Sequence, residues 1–408
     1  MSLAFGRHYL AIPGPSVIPD RVQGAMHRAA PNIYQGELLE MMPGLLRDLR
    51  RVARTEKANV AIYIANGHGA WEAANANLFA RGDKVLSAIT GHFGNTWALS
   101  ARNMGVDVAT IDFAGQPVDP ARIEEALAAD RAHRIKAVFV THTDTATTIR
   151  NDIAAVRRAI DAAGHPALLA VDAIASLGCD PLHFDDWGID VLIGASQKGL
   201  MTPPGLSFIW FSDKALAASE GSDLVTPYWD WRLRSLSTEF FRHFGGTAPT
   251  HHLYGLREAL TMLLDEEGLE AAWARHAALA SSVWAAFGAW SQRGDIALNV
   301  ADSARRSHAV TGARIGNGGA ARLRAWLETN AGVTLGIGLG MAAPTEPAYG
   351  DYLRVAHMGH VNAHMTLGVL AVMEAGMRAL GIPHGTGALD AAAQAVAEAI
   401  HPIDACRG

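Results

Sequence analysis

Cysteine is scarce in this 408-residue chain, which contains two, Cys179 and Cys406. Two cysteines cannot form a disulfide scaffold or a cysteine-rich metal cluster, and their scarcity is typical of a reducing compartment. An excess of positive charge is also missing, because 34 Lys and Arg stand against 40 Asp and Glu, a net charge of −6. This balance argues against a protein that binds the phosphate backbone of nucleic acids.

Long hydrophobic runs are absent as well. No run approaches the roughly 20 apolar residues of a membrane-spanning helix, and the longest, Met365–Met373, is soon followed by Glu374 and Arg378. Residues 1–12 lack the basic segment and apolar core of a secretory signal, and the last residues do not match a peroxisomal address. The sequence therefore predicts a soluble, cytoplasmic protein.

The residues that are present favour a large folded core, since 50% are hydrophobic and 18% charged. From about residue 57, short apolar runs alternate with Ala-rich amphipathic stretches. This alternation indicates an α/β fold with a mostly parallel central sheet that is buried on both faces. The predicted strands are Val60–Ala65, Lys84–Ile89, Val106–Phe113, Ile135–Thr141, Ala167–Asp172, Val191–Gly194 and Leu206–Phe211, and the helices between them are Ala70–Phe79, Thr96–Met104, Pro120–Asp130 and Ile153–Ala163.

The pattern changes near residue 250, where two long helices are predicted, Leu253–Asp265 and Leu269–Trp290. A looser α+β pattern follows and indicates a second, smaller domain. The prolines near the N-terminus favour an extended arm, because proline disfavours helix interiors. We therefore predict an arm over residues 1–20, a large domain over 21–268 and a small C-terminal domain over 269–408.

Two charged side chains follow buried strands of the predicted sheet. Asp172 ends the run Ala167–Val171, and an acid there costs desolvation unless a cation pairs with it. Lys198 follows Val191–Gly194, and in a partly dry cleft its amine can act as a nucleophile and base. Taken alone, the aspartate could be a helix cap and the lysine a solvated surface residue.

Two further features could bind anions. Gly67-His68-Gly69 lies between a predicted strand and a helix, where backbone N–H groups can surround a phosphate, although an ordinary loop has the same composition. Arg354 lies inside an apolar run, where a substrate carboxylate or an internal salt bridge could pair with it. A phosphate cup, a strand-end acid, a strand-end lysine and a carboxylate clamp, in that order, are the parts that a pyridoxal 5′-phosphate enzyme needs.

The chain resembles the class V aminotransferases of pyridoxal-phosphate fold type I, and most closely the serine–glyoxylate and alanine–glyoxylate aminotransferases. The resemblance covers nearly the whole length. The segments that carry it are Pro13-Gly14-Pro15 with Pro19, Gly67–Ala73, Thr141-His142 with Asp144–Thr147, Val171-Asp172, Ser196–Met201 with Pro203–Leu206, Leu253–Glu258 and Leu353-Arg354. The segment around Lys198 is the most specific of these.

The resemblance implies roles for individual residues. Lys198 would bond covalently to the cofactor and later move the substrate's α-proton, and Asp172 would pair with the pyridinium nitrogen. Arg354 would bind the substrate carboxylate, and Tyr34 would approach the substrate. Thr247 would reach the phosphate of the neighbouring subunit, so a homodimer with shared active sites is implied. The remaining implied cofactor-binding residues are Gly67, His68, Gly69 and Gln197 around the phosphate, Phe93 stacked on the ring, Thr145 near it, and Ile174.

The implied activity is a ping-pong transfer of an amino group from a small L-amino acid, serine or alanine, to glyoxylate or a similar short oxo acid. An alternative within the family uses pyruvate as the acceptor and pyridoxamine, an aminophosphonate or aspartate as the donor. The chain departs from the family pattern at several positions. Asn66 replaces the usual Ser or Thr, Ala195 replaces Gly, and Phe244 replaces a Tyr that contacts the phosphate in the alanine–glyoxylate enzymes. These departures leave the amino donor open.

Other classes fit the sequence less well. Cysteine desulfurases share the fold, but they carry His where Gln197 precedes Lys198 and a reactive cysteine on a late loop, whereas Cys406 lies in the last residues. A pyridoxal-phosphate-binding regulator would need a DNA-binding domain, for which the chain has no spare segment or basic patch. The triplet His357, His360 and His364 has metal-like spacing, but no acid completes a ligand set, so we predict no metal.

Overall fold

A computed structural model describes residues 2–400, which form two compact units. The larger unit comprises Ile18–Thr145 and Ile149–Leu269, and the smaller comprises Ala146–Thr148 with the described residues up to Val17 and from Glu270 on. The predicted boundaries after residues 20 and 268 remain predictions. Cys406 and the rest of the predicted C-terminal domain beyond residue 400 lie outside the described residues.

The described strands belong to three sheets. They are β1 (Tyr9–Ala11), β2 (Asn59–Tyr63), β3 (Lys84–Ile89), β4 (Asp107–Asp112), β5 (Ile135–Thr141), β6 (Thr143–Asp144), β7 (Ile149–Arg150), β8 (Leu168–Asp172), β9 (Val191–Ala195), β10 (Ser207–Phe211), β11 (Ile296–Leu298), β12 (Val310–Ile315), β13 (Val333–Ile337) and β14 (Tyr352–Ala356).

The α-helices alternate with strands in the larger unit and flank the sheet segments of the smaller one. They are α1 (Asp20–Met26), α2 (Glu37–Glu40), α3 (Met42–Ala53), α4 (Gly67–Leu78), α5 (His92–Asn103), α6 (Pro120–Ala129), α7 (Ile153–Ala162), α8 (Asp213–Ala218), α9 (Trp231–Ser235), α10 (Thr250–Leu260), α11 (Leu269–Trp290), α12 (Gly319–Ala331), α13 (Ala363–Ala379) and α14 (Ala388–Ala399). A π-helical stretch, Thr261–Glu267, extends α10. Within the described chain, every helix is too short or too polar to span a bilayer.

The larger unit is built on a seven-stranded sheet with the order β2-β10-β9-β8-β5-β3-β4. β10 runs antiparallel to its neighbours β2 and β9, and the other pairs are parallel. Every residue of β8, β9 and β10 is buried, as expected for strands covered on both faces. The predicted mostly parallel α/β sheet is therefore confirmed.

This topology gathers several strand ends at one edge of the sheet. β2, β3, β5, β8 and β9 all run in the same direction, so their carboxyl ends lie at one edge. The loops and helix N-termini that follow them, including those of α4 and α5, start at this edge. Ligands of open α/β sheets bind at such an edge.

The smaller unit has its own five-stranded sheet with the order β1-β13-β14-β12-β11. β1, from the predicted N-terminal arm, pairs parallel with β13, and the other pairs are antiparallel. Its core includes Trp290, Leu323 and Leu370. Three residues of the predicted arm therefore lie in a sheet.

The starts of α4 and α5, the helices at the carboxyl edge of the larger sheet, differ from the sequence prediction. α4 begins at Gly67 rather than Ala70, and α5 at His92 rather than Thr96. Both first turns contain glycine and histidine, which have low helix propensity, so the sequence pattern did not indicate a helix there. Each turn is stabilised by a side-chain oxygen that accepts its N–H groups, from Asn66 for α4 and from Asp144 for α5.

Candidate active site

A cavity of about 250 Å³ lies in the larger unit at the carboxyl edge of its sheet. Its lining contains most of the residues that the sequence singled out for chemistry. These are Gly67, His68, Phe93, Thr145, Asp172, Ile174, Gln197 and Lys198, together with Asn66, Trp71, Thr143 and Ala175. The segments that carry them are separate in sequence, and the order of the strands brings them together.

Asp172 ends β8 and is buried in the wall of this cavity. One carboxylate oxygen accepts the Ile174 N–H at 2.8 Å, and the other accepts the Trp71 indole N–H at 3.2 Å. Burial raises the pKa of Asp172 to about 7, because these donors and the nearby Lys198 only partly offset the loss of solvent. A buried carboxylate in this state favours a cationic ligand opposite it.

Lys198 lies in the turn that follows β9 and is partly buried at the same cavity. Hydrogen bonds hold this turn, since the Met201 N–H donates to the Lys198 carbonyl at 3.0 Å and the Thr202 N–H donates to the Ser196 carbonyl at 3.0 Å. The Ser196 hydroxyl donates to the Pro203 carbonyl at 2.7 Å. The backbone that carries the amine is therefore fixed, which suits a positioned nucleophile.

The first turn of α4 forms another part of the wall. A Cβ atom on Gly67 would lie 2.4 Å from Ile174 Cδ1, so glycine leaves room for the Ile174 side chain that lines the cavity. The imidazole of His68 lies against Trp71, with 4.6 Å between ring centroids. Burial lowers the pKa of His68, and the neighbouring His92 lowers it further. The wall here thus combines the first turn of a helix with an imidazole whose pKa is lowered.

The first turn of α5 places Phe93 at the cavity. Asp144, which ends β6, accepts the N–H groups of Phe93 at 2.9 Å and Gly94 at 3.1 Å through one carboxylate oxygen. A Cβ on Gly91 would lie 2.6 Å from this carboxyl group, so glycine permits the close approach. Asp144 therefore fixes the backbone from which the aromatic ring extends.

Two polar atoms at the cavity suggest contact with a ligand. Gln197 Oε1 and Thr143 Oγ1 are buried and have no hydrogen-bond partner among the described residues. Buried polar atoms in proteins are nearly always hydrogen-bonded, so such atoms in a cavity wall fit a polar ligand. With an amine, a buried acid, an aromatic wall and helix N–H groups, the lining fits pyridoxal phosphate.

Four predicted site residues do not line this cavity. Gly69 lies in the first turn of α4, behind the lining residues. Tyr34 is 84% exposed, and Thr247 is also exposed. Arg354 belongs to the smaller unit, where it is 6% exposed on β14 and its Nε donates to the Ile337 carbonyl at 2.6 Å. The roles of all four remain predictions.

Sequence reasoning missed Trp71 and Asp144 as site residues. Trp71 follows the glycine cup by two residues, and its indole N–H was a visible signal, because a buried indole needs an acceptor. Asp144 precedes Thr145 in a segment already singled out, but its contact with α5 joins residues about 50 positions apart. Only the pairing of the strands makes that contact visible.

One histidine of the triplet in the smaller unit, His357, is hydrogen-bonded within the protein. His357 is buried, with Nε2 2.9 Å from Thr311 Oγ1 and Nδ1 2.7 Å from the His308 carbonyl. Among residues 2–400, no group of three or more His, Cys, Asp or Glu side chains is placed to hold a metal ion. His357 is therefore engaged in the protein's own hydrogen bonds.

Comparison with known proteins identifies the family. The model of the family Aminotransferase class-V matches residues 20–359. The serine–glyoxylate aminotransferase of Methylorubrum extorquens is 39% identical over 379 residues, 90% of each chain. The L-aspartate–glyoxylate aminotransferase of Paracoccus denitrificans is 37% identical over 387 residues, 94% of each chain.

A solved structure extends the comparison to the fold. The ureidoglycine–glyoxylate aminotransferase of Bacillus subtilis superposes with a TM-score of 0.85 at 25% identity, over 97% of this chain and 99% of its own. The fold and site define a fold type I aminotransferase of the kind that uses pyridoxal phosphate. The chain belongs to the class V aminotransferase family, which confirms the resemblance.

Proposed function

We propose that this aminotransferase uses pyridoxal phosphate to move an amino group from a small L-amino acid, serine or alanine, to glyoxylate or a similar short oxo acid. The observation that carries the proposal is the buried carboxylate of Asp172 in the same 250 Å³ cavity as the amine of Lys198. A buried acid and a nucleophilic amine are the two groups that this cofactor requires of the protein.

The cofactor would be held by groups from several elements. Asp172 would pair with its ring nitrogen, and Phe93 would cover a ring face. Gly67 and His68 would bind its phosphate through the first turn of α4, with Gln197 beside them. Thr145 and Ile174 would complete the lining. The assignments to the ring nitrogen and to the phosphate place a charge or dipole of the protein against its opposite on the ligand.

Bound pyridoxal phosphate supplies an electron sink that stabilises negative charge at the substrate's α-carbon. Lys198 Nζ would hold the cofactor covalently through its aldehyde carbon, whose oxygen leaves as water. Once released by the substrate's amine, the same Nζ would accept the proton from the substrate's α-carbon and deliver it to the cofactor side. Asp172, ionised beside a cation, would keep the ring nitrogen protonated and so maintain the sink.

Substrate choice is supported by the relatives and by the residues that the resemblance assigns. Two relatives are named for glyoxylate as acceptor, one with serine and one with L-aspartate as donor. Arg354 would bind the carboxylates of donor and acceptor, and Tyr34 would approach the substrate. The aspartate-named relative makes L-aspartate the donor to test beside serine and alanine. Pyruvate is the alternative acceptor.

We also propose a homodimer in which Thr247 binds the phosphate of the neighbouring subunit's cofactor. The exposure of Thr247 supports this role, because its hydroxyl is accessible to another molecule. Sedimentation should report a dimer, and Thr247→Val should weaken cofactor binding. A monomer with full activity would contradict shared sites.

The proposed function is tested by the absorbance spectrum of the purified protein in the near-ultraviolet and visible range. With pyridoxal phosphate, a visible band should appear. L-Serine, L-alanine and L-aspartate are then added one at a time, and the amino acid that abolishes this band is the donor. Glyoxylate should restore the band, and pyruvate serves as the competing acceptor. A protein that develops no band with the cofactor would contradict the proposal, and Lys198→Ala supplies the matched negative control.

A further inference from the structure

The N-terminus of α4 is capped by the residue that immediately precedes it. Asn66 Oδ1 accepts the N–H groups of His68 at 3.1 Å and Gly69 at 3.2 Å. These are two of the N–H groups that a helix leaves without intrahelical acceptors. Asn66, Gly67 and His68 all line the cavity that contains Lys198. The cap therefore lies where a phosphate would meet the helix.

An amide oxygen and a phosphate are unequal acceptors for these N–H groups. A phosphate carries close to two negative charges, and hydrogen bonds to ionised acceptors are about twice as strong as neutral ones. The partial positive charge at a helix N-terminus adds to this preference. A phosphate at this turn would therefore displace the neutral amide from the His68 N–H.

The other helix end at this cavity cannot offer its amides in the same way. At α5, the Phe93 and Gly94 N–H groups already donate to the Asp144 carboxylate. A second anion there would meet a buried negative charge and lose the same hydrogen bonds. The phosphate-binding end is thus α4. Gln197 lines the same cavity.

We propose that Asn66 is a displaceable cap that competes with the cofactor phosphate for the His68 N–H. This inference rests on the proposed function, since it concerns how the same site selects phosphate-bearing ligands. The side chain stabilises α4 when no anion is bound and lowers the affinity for one. How tightly the cofactor is held then depends on how much more strongly its phosphate accepts the His68 N–H than the Asn66 amide oxygen does.

The test compares Asn66→Gly with Asn362→Gly in the full-length chain stripped of cofactor. Glycine costs little as an N-cap, so both variants should fold. Asn362 caps α13 by accepting the Met365 N–H at 3.2 Å, and it does not line the cavity, which makes it the matched control. The probes are pyridoxal phosphate, pyridoxal and inorganic phosphate. The readouts are dissociation constants and the melting temperature.

Asn66→Gly should bind pyridoxal phosphate roughly threefold to tenfold more tightly than the native chain, which corresponds to one hydrogen bond no longer displaced. Its affinity for pyridoxal, which has no phosphate, should be unchanged, and inorganic phosphate should stabilise it more than the native chain. Asn66→Asp should bind pyridoxal phosphate at least about tenfold more weakly than the native chain, because a carboxylate repels the phosphate. Asn362→Gly should change none of these constants.

Weaker binding of pyridoxal phosphate by Asn66→Gly would overturn the proposal, because Asn66 would then be a direct phosphate ligand. Unchanged binding, or an equal change for pyridoxal, would also overturn it. Inorganic phosphate separates this result from failure of the proposed function. If pyridoxal phosphate binds neither protein but inorganic phosphate still favours Asn66→Gly, the function fails and the cap proposal stands.

Discussion

The two helix N-termini at the cavity are capped in opposite ways. α4 is capped by Asn66, a neutral neighbour in sequence, whereas α5 is capped by Asp144, a buried anion from a separate strand. A neutral local cap can be exchanged for an anionic ligand at low cost. A buried charged cap cannot, because its displacement leaves a buried carboxylate without its hydrogen-bond donors. The N-terminus of α4 is therefore suited to binding an anionic ligand, and that of α5 to holding the protein backbone in place.

The cavity wall therefore has two parts, one whose helix cap a ligand can displace and one whose helix cap stays in place. The α4 end offers its amides to a ligand, and the α5 end holds the aromatic ring of Phe93 in place. Asp172 interacts with both ends, because Trp71 of α4 donates to it and the charge of Asp144 adds to the rise of its pKa. Substitutions at each end should therefore give different signatures.

The largest effect is expected from Asp172→Asn, which removes the charge that interacts with both ends. Without the ionised carboxylate the cofactor's ring nitrogen loses its proton, so kcat should fall by at least about a hundredfold, the scale of losing one preorganised electrostatic contact. Steady-state kinetics with a serine–glyoxylate pair measures this loss. Full kcat in the variant would show that Asp172 does not serve the electron sink.

The same variant should gain stability at high pH in the cofactor-free protein. Because folding raises the pKa of Asp172 from 3.8 to about 7, its cost to stability is absent below 3.8, grows as the pH rises and is complete above about 7. Thermal melts at pH 5 and pH 8 should therefore show the advantage of Asp172→Asn increasing with pH. An advantage that is constant with pH would contradict this origin.

The second largest effect is expected at Asp144, the residue that caps α5. Asp144→Ala should lower the free energy of unfolding by about 3 kcal/mol, since it removes a charged acceptor from a part-buried and a buried N–H group. Asp119→Ala is the control, because Asp119 caps α6 at an exposed position by accepting the Ala121 N–H at 3.0 Å, and it should cost about 1 kcal/mol. Denaturant melts that give equal losses would remove the distinction between the two kinds of cap.

A smaller effect should separate Gly91→Ala from Gly67→Ala. The new Cβ at Gly91 would meet the Asp144 carboxyl group, whereas at Gly67 it would meet the flexible end of Ile174. We expect a loss of about 2 kcal/mol for Gly91→Ala, a typical cost of overpacking, and less for Gly67→Ala. Because Ile174 lines the cavity, Gly67→Ala should instead weaken cofactor binding, which a titration would measure. A larger loss of stability in Gly67→Ala than in Gly91→Ala would contradict this expectation.

The smallest effect is expected from Trp71→Phe, which removes one hydrogen bond to Asp172. That bond lowers the pKa of Asp172, so its loss should move the acidic limb of the kcat/KM profile to higher pH and reduce activity about fivefold below it. Trp97→Phe is the matched control, because the Trp97 indole donates to Asn75 instead. A shift of the same size in both variants would assign the effect to packing.

Much of the fold could be predicted because buried parallel strands carry a strong signal. The run that became β8 is apolar throughout and ends in Asp172, and β9 ends next to Lys198. The starts of α4 and α5 were missed because side-chain caps outweighed low helix propensity there. The Asn66 cap is local and could have been inferred from sequence. The Asp144 cap requires β6 and α5 to be placed in space.

The site was predictable to the extent that its chemistry is carried by single residues at strand ends. Lys198 and Asp172 were found this way, and both line the cavity. The hydrogen bond from Trp71 was not found, because propensity and spacing do not report where an indole points. The roles of Thr247, Tyr34 and Arg354 depend on surroundings beyond the larger unit's cavity, so they stay predictions.

The most direct test of the account is chemical trapping of the cofactor on the protein. The holoenzyme is reduced with borohydride and digested, and the modified peptide is identified by mass spectrometry. We predict a pyridoxyl-phosphate adduct on Lys198, beside the buried Asp172. An adduct on another lysine, such as Lys214, or no adduct after incubation with pyridoxal phosphate, would contradict the account.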